Sequence, residues 1–333
     1  MCIMIIGQPN PEASPASLNA LLAALKAVAE PTRLRLLALC EAEALSVSEL
    51  VEILGQSQPR ISRHLKLLAE SGLLTRRRDG ASVFYRRATQ SWLAERMSAL
   101  LPLAEPELAH DRDRLRELRE KRTQKARAYF DGNAKRWDEL RSLHVDEAVI
   151  EAALQEALLP HHPRSMADIG TGTGRLLELF APHVQEAVGI DGSREMLDVA
   201  RLKLEAKGLR QVELRHADLA HLPIQAGRFD LAIIHQVLHF ADHPVQVLSE
   251  AGRILAPGGR LAVVDFAPHE LEYLRGQHQH RWLGFSQTEI DEALNAAGLI
   301  PYDSRTLPGR PLAVTIWLAA KPKPLVSPKG TYP

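Results

Sequence analysis

Asp168-Ile-Gly-Thr-Gly-Thr-Gly174 combines an acid with three glycines spaced G-x-G-x-G. A short apolar run precedes it and the helical pattern Arg175-Leu-Leu-Glu-Leu-Phe180 follows, so it reads as strand, glycine turn and helix start. Glycine lets backbone approach a ligand where a Cβ would collide. The spacing is not the G-x-G-x-x-G of dinucleotide sites. A carboxylate at the strand end repels a pyrophosphate but suits a ligand carrying an ammonium and a sulfonium. Twenty-three residues on, the apolar run Ala187-Val-Gly-Ile190 ends in Asp191, where an acid can accept hydrogen bonds from ribose hydroxyls. His235 and His239 follow a third apolar run and are candidate bases for a transfer step. His269, His278 and His280 lie further on. His278-x-His280 has no convincing third ligand, so no metal is expected there.

The elements that must position these residues alternate strand and helix, which predicts a parallel sheet with helices on both faces. The predicted strands are 166–168, 187–191, 212–216, 229–235, 259–266 and 313–320. Ligands of such sheets bind at the carboxyl ends of the strands, and Asp168, Asp191, His216 and His235 sit at those ends.

The first part of the chain reads differently. Pro31 starts a helical run, Ser46 with Glu49 forms a capping box for residues 47–54, and Gly55 ends that helix. The turn 56–59 leads into a helix over 59–69 whose buried stripe is Ile61, Leu65 and Leu68. Strand 73–78, turn Asp79-Gly80 and strand 82–87 form a hairpin. Between Ser57 and Arg87 there are eight Lys or Arg against two acids, an excess of six. Basic side chains on one helix and one hairpin suit phosphate neutralisation, with the helix in the major groove and the hairpin against the backbone or minor groove. The candidate DNA contacts are Gln58, Arg60, Ser62, Arg63, His64, Lys66, Arg76, Arg77 and Arg78.

Two family resemblances follow. Ala29-Glu-Pro-Thr-Arg-Leu-Arg-Leu-Leu, Ser57-Gln-Pro-Arg-Ile-Ser-Arg-His-Leu-Lys-Leu-Leu-Ala-Glu-Ser-Gly-Leu-Leu and Arg78-Asp-Gly-Ala-Ser-Val-Phe-Tyr-Arg resemble the ArsR/SmtB winged helix-turn-helix repressors. The resemblance implies a dimer paired through the first and last helices, here about 18–28 and 90–101. Many members sense metals through Cys-x-Cys. The matching stretch Leu45-Ser-Val-Ser-Glu-Leu50 has serine at both positions, a poor ligand for soft metals. The glycine turn, with Asp191, His216-Ala-Asp-Leu219, Phe229-Asp-Leu-Ala-Ile-Ile-His235 and Pro257-Gly-Gly-Arg-Leu261, resembles class I S-adenosyl-L-methionine (SAM)-dependent methyltransferases over about 125–320. That resemblance implies a Rossmann-like α/β domain with a mostly parallel seven-stranded sheet. It also implies a cofactor site of Asp168, Gly170, Thr171, Gly172, Gly174, Asp191, Gly192, Met196, Asp218, Leu219 and His235. Tyr129-Phe-Asp131 with Trp137-Asp138 resembles the leading helix that closes over the pocket in many small-molecule methyltransferases. The DNA-methylating motifs Asn-Pro-Pro-Tyr and Pro-Cys are absent.

The whole chain agrees with two domains. It has 333 residues, 45% hydrophobic and 25% charged, with zero formal net charge. Two cysteines, Cys2 and Cys40, are too few for a disulfide framework and fit a reducing cytoplasm. The apolar Met1–Ile6 is too short for a signal peptide or membrane span. The expected layout is a leader over 1–16, a winged helix-turn-helix over 17–105, a connecting helix over 106–124, the methyltransferase domain over 125–321 and a tail over 322–333. Six acids and six bases between Glu105 and Arg122 suit an exposed helix, either an inert spacer or a transmitting rod. The expected function is a cytoplasmic, homodimeric DNA-binding regulator that couples its operator to SAM or S-adenosylhomocysteine. The alternatives are a working small-molecule methyltransferase that controls its own operon, and an enzyme whose winged helix serves only for dimerisation.

Overall fold

The computed structural model describes residues 17–89, 91–137, 147–209 and 211–323. The expected leader, Cys2, Asp138 and most of the tail lie outside them. The chain divides into two compact units, Met1–Lys121 and Arg122–Pro333.

In the first unit, α1 (Leu18–Val28), α2 (Pro31–Ala42), α3 (Val47–Leu54) and α4 (Gln58–Glu70) precede a small sheet. The Ser46 hydroxyl accepts from the Glu49 N–H and the Glu49 carboxylate accepts from the Ser46 N–H, closing the capping box. Gly55 ends α3 in the left-handed conformation. Strands β2 (Leu74–Asp79) and β3 (Ser82–Arg87) form the hairpin, and β1 (Leu45–Ser46) adds to β3, giving the order β1-β3-β2. Ile61, Leu65 and Leu68 of α4 are fully buried against Leu36, Leu37 and Leu50. Each such side chain contributes about 1.5–3 kcal/mol by leaving water. After α5 (Trp92–Ala99), the long helix α6 (Pro106–Asn133) begins. Its Leu115 and Leu118 join the same core. Arg35 clasps the buried Asp111 through two hydrogen bonds of 2.6 and 2.7 Å, a bidentate fork. Helix α6 continues past the expected end at 124 and carries the chain across the boundary between units.

The second unit is built on a seven-stranded sheet in the order β6-β5-β4-β7-β8-β10-β9. Strands β4 (Ser165–Ile169), β5 (Glu186–Asp191), β6 (Glu213–His216), β7 (Phe229–His235) and β8 (Leu255–Phe266) are parallel to their neighbours in that series. Strand β10 (Val314–Ala320) runs antiparallel between β8 and β9 (Ile300–Leu307). This is the expected Rossmann-like architecture. β9 is absent from the predicted strands because it is a mostly exposed edge strand with no apolar face to reveal it. β8 starts at Leu255, so Pro257-Gly-Gly lies within it, at a register shift against β7. The chain leaves β4 toward β5 and β6, then returns to β7 on the other side. That reversal opens a crevice at the carboxyl ends of β4 and β7.

Candidate functional site

The glycine turn closes β4 against β5. The N–H groups of Gly170 and Thr171 both donate to the Ile190 carbonyl, at 2.8 and 3.0 Å. Gly170 has a φ of +78°, and a Cβ there would collide with the side chain of Val237. The loop after β7 therefore lies directly on the turn, and only glycine allows it. At Gly172 (φ +52°) a Cβ would meet only the Trp137 indole, at 3.6 Å. The Gly172 N–H donates to Asp191 Oδ2 at 2.8 Å, and Asp191 Oδ1 accepts from the Ser193 N–H at 2.8 Å. Burial pushes the Asp191 carboxyl up from its ordinary value, against the pull of these N–H donors. Asp168 is buried and accepts from the Thr171 hydroxyl at 2.6 Å. Gly174 turns left-handed into the helix Arg175–Phe180.

The other expected cofactor residues divide. Gly192 follows Asp191, and its carbonyl lies 3.1 Å from His216 Nε2. Met196 is buried in the helix Arg194–Ala206, whose Ser193 cap also donates to Asp131 at 2.7 Å. Asp218 is exposed and caps its own turn, accepting from the Ala220 N–H at 2.9 Å, with Leu219 half-buried beside it. His235 is buried at the end of β7, with Nε2 3.8 Å from a Glu147 carboxylate oxygen. Asp168 and Asp191 thus hold the turn itself, with Asp131 at Ser193 and Glu147 at His235 beyond it. This set suits a cationic ligand and disfavours a polyphosphate.

His239 is buried in the loop beyond β7, and its Nδ1 lies 2.8 Å from Oδ1 of the fully buried Asp265 at the end of β8. Among the later histidines, His278 Nδ1 meets the Tyr129 hydroxyl at 2.8 Å, and His280 stacks on Phe266. The two rings of His278-x-His280 therefore engage different partners.

On the first unit, Gln58, Arg60, Arg63 and Lys66 of α4 are exposed and Ser62 is half-buried. His64 does not share that face. It is half-buried with Nδ1 3.8 Å from Glu30, and burial pulls its pKa down. In the hairpin, Arg76 and Arg78 are exposed, while the half-buried Arg77 turns toward Asp79 at 3.8 Å. Arg60 and Arg87 have acidic neighbours in Glu30 and Glu41, at 3.7 and 2.5 Å. Lys66 likewise has Glu70 at 3.7 Å, so the uncompensated charge is carried mainly by Arg63, Arg76 and Arg78.

Residues 28–77 match a helix-turn-helix domain, and residues 167–263 match a methyltransferase domain. This chain joins a helix-turn-helix domain to a methyltransferase domain. The demethylmenaquinone methyltransferase of Deinococcus radiodurans is 40% identical over 146 residues, which are 42% of this chain and 59% of that protein. Its counterpart in Thermus thermophilus is 42% identical over 123 residues, 36% of this chain and 52% of that protein. YcgJ, an uncharacterized methyltransferase of Bacillus subtilis, is 32% identical over 104 residues, 31% of this chain and 41% of that protein. Each match covers less than two thirds of the relative. The cofactor of such a methyltransferase domain is SAM, and the acid-lined glycine turn fits its ammonium and sulfonium.

Sequence reasoning missed several residues of the methyltransferase domain. Asp265 gave no signal, since an acid at the end of an apolar strand has many uses. Gln236 takes a left-handed φ of +53° directly after His235, its N–H donating to the Val264 carbonyl at 2.7 Å. Glu147 sits at the start of the helix Glu147–Leu158, nearly ninety residues from the histidine it faces. Among the described residues, no helix is long and apolar enough to cross a membrane.

Proposed function

We propose that this protein is a cytoplasmic, dimeric transcription regulator of the ArsR type. Its methyltransferase domain binds SAM or S-adenosylhomocysteine, and that ligand and operator DNA change each other's affinity. The observation that carries the reading is the pairing, in one chain, of an acid-lined glycine turn with an exposed basic face on α4 and the hairpin. Asp168, Gly170, Thr171, Gly172 and Gly174 would hold the methionine part of the ligand. Asp191 and Gly192 would take the ribose, and Met196, Asp218 and Leu219 would border the adenine. The buried Met196 would serve as a wall, and the exposed Asp218 would accept from the adenine amino group. Arg63, Lys66, Arg76 and Arg78 would neutralise phosphates, with Gln58, Arg60 and Ser62 facing base edges. Arg77 would need to leave Asp79, and His64 would support α4 from behind.

Calorimetric titration of the full chain with SAM and with S-adenosylhomocysteine, with and without its own promoter DNA, tests the coupling. Linkage makes the effect reciprocal, and a typical coupling is about 5–150-fold in affinity. Equal ligand affinity with and without bound promoter would overturn the regulatory reading. The second reading, a working small-molecule methyltransferase that controls its own operon, is favoured by the buried pair His239–Asp265. A ligand-sensing domain has no need of a base.

A further inference from the structure

Gln236, directly after β7, carries two features that a purely structural residue would avoid. Its backbone is left-handed, with a φ of +53°, where a Cβ is crowded. Its side chain is only 7% exposed, and its Nε2 has no hydrogen-bond partner among the described residues. Buried amides are ordinarily paired, because an N–H taken from water and given no acceptor is destabilising. Glycine would relieve both the crowding and the unmet donor.

The loop around Gln236 is tied on several sides. The Gln236 N–H donates to the Val264 carbonyl of β8 at 2.7 Å. Val237, the next residue, lies on Gly170 of the glycine turn. The Phe240 N–H donates to the Val237 carbonyl at 3.0 Å, and the His239 N–H donates to Asp265 Oδ2 at 3.2 Å. These ties hold the left-handed residue in place and fix the position of its amide. A strained backbone and an unmet buried donor, held by their surroundings, are features that gather at ligand sites.

The sheet order says which ligand that donor meets. The strands run β6-β5-β4-β7-β8. On the reading above, the adenine would lie past β6 at Asp218, the ribose at β5 and the methionine part at β4. The end of β7 is the next place along the same edge, on the side away from the ribose. Gln236 therefore faces what is bound beside SAM rather than its adenosine. Half-buried rings stand close by. Phe130 lies edge-on to Phe240 with centroids 4.8 Å apart, and Trp137 stands 5.3 Å from Phe130 and 6.2 Å from Phe240. Trp137 also faces Gly172, so this aromatic wall runs from the glycine turn to the loop that carries Gln236.

We infer that the domain takes a second small molecule beside SAM or S-adenosylhomocysteine, and that Gln236 selects it by donating a hydrogen bond to one of its oxygens. The ligand class is an apolar body, matched to the aromatic wall, that bears a carbonyl, carboxylate or hydroxyl oxygen. An ammonium has no lone pair to accept from an amide N–H, and a hydrocarbon leaves that N–H unpaired. This rests on the reading of the domain as a SAM-binding one. It holds whether or not the second molecule receives the methyl group.

The test uses the full chain saturated with S-adenosylhomocysteine and probes that share one ring: cyclohexanone, cyclohexanecarboxylate, cyclohexanol, cyclohexylammonium and methylcyclohexane. Ligand-observed NMR titration reads affinity. Nitrogen-15 NMR reads the Gln236 side-chain amide, assigned by its loss in Gln236→Met. At least one oxygen probe should shift that amide and bind about tenfold or more tightly than methylcyclohexane and cyclohexylammonium. Gln236→Met, of similar length but without a donor, should lose this preference and keep its S-adenosylhomocysteine affinity within about twofold. If the variant does not fold, the amide shift and the probe preference of the wild-type protein decide. The inference is overturned if S-adenosylhomocysteine binds yet no oxygen probe is preferred, or if Gln236→Met keeps the preference. It is also overturned if S-adenosylhomocysteine alone shifts the amide and binds about tenfold more weakly to Gln236→Met, which would give Gln236 to the cofactor. Failure of the wild-type protein to bind S-adenosylhomocysteine would instead overturn the underlying reading of the domain.

Discussion

Asp191 joins the two sides of the glycine turn, accepting from Gly172 on one and from Ser193 on the other. Its raised pKa has a stability consequence. A carboxyl that binds its proton more tightly folded than unfolded makes stability fall as pH rises from the ordinary aspartate value through the raised one. Urea unfolding at stepped pH should show this slope in the wild-type protein and not in Asp191→Asn. The same substitution should weaken S-adenosylhomocysteine by about tenfold, since it trades an ionised acceptor for a neutral one. An unchanged slope in the variant would remove Asp191 as its source. Val237 against Gly170 shows how little of such a site is local. The glycine spacing is readable in the chain, but the partner that demands it lies nearly seventy residues away.

Helix α4 shows what periodicity conveys about an element and what it leaves out. Its buried stripe Ile61, Leu65 and Leu68 follows from helical spacing, and so does the outward set Arg60, Arg63 and Lys66. His64 lies between these faces, and the side it takes depends on Glu30, the N-cap of α2. Arg63→Ala and Lys66→Ala should each lower the slope of log affinity against log salt for DNA by about one, with little effect on S-adenosylhomocysteine binding. His64→Ala should leave that slope unchanged. A slope that stays constant in the arginine and lysine variants would move the DNA interface elsewhere. The capping box at Ser46 was legible because it depends only on residues three apart. The edge strand β9 was not, because its pairing with β10 rests on main-chain hydrogen bonds that leave no side-chain pattern.

At the scale of the molecule, the apolar residues Leu18, Leu22 and Leu25 of α1 are exposed at helical spacing, and so are Trp92 and Leu100 at α5. An unpartnered apolar row of this kind fits the dimer face expected of first and last helices. Leu22→Glu with Leu25→Glu should shift the protein to monomer in analytical ultracentrifugation and weaken promoter binding at the same protein concentration. A wild-type protein that sediments as a monomer at micromolar concentration would end the dimer reading.

The order of motifs along the chain was enough to identify both folds, because glycine turns, caps and helical stripes are built from neighbours. The bases on α4 and the hairpin were equally legible as a cluster. Which of those charges stay uncompensated became clear only in three dimensions, where Glu30 and Glu41 approach Arg60 and Arg87. The same holds for Asp265 beneath His239 and for the aromatic wall that links Gly172 to Phe240. The first joins β8 to the loop after β7, and the second joins α6 and Trp137 to that same loop. Their contact depends on the sheet order and on the return of the chain across the crevice, which no local spacing records.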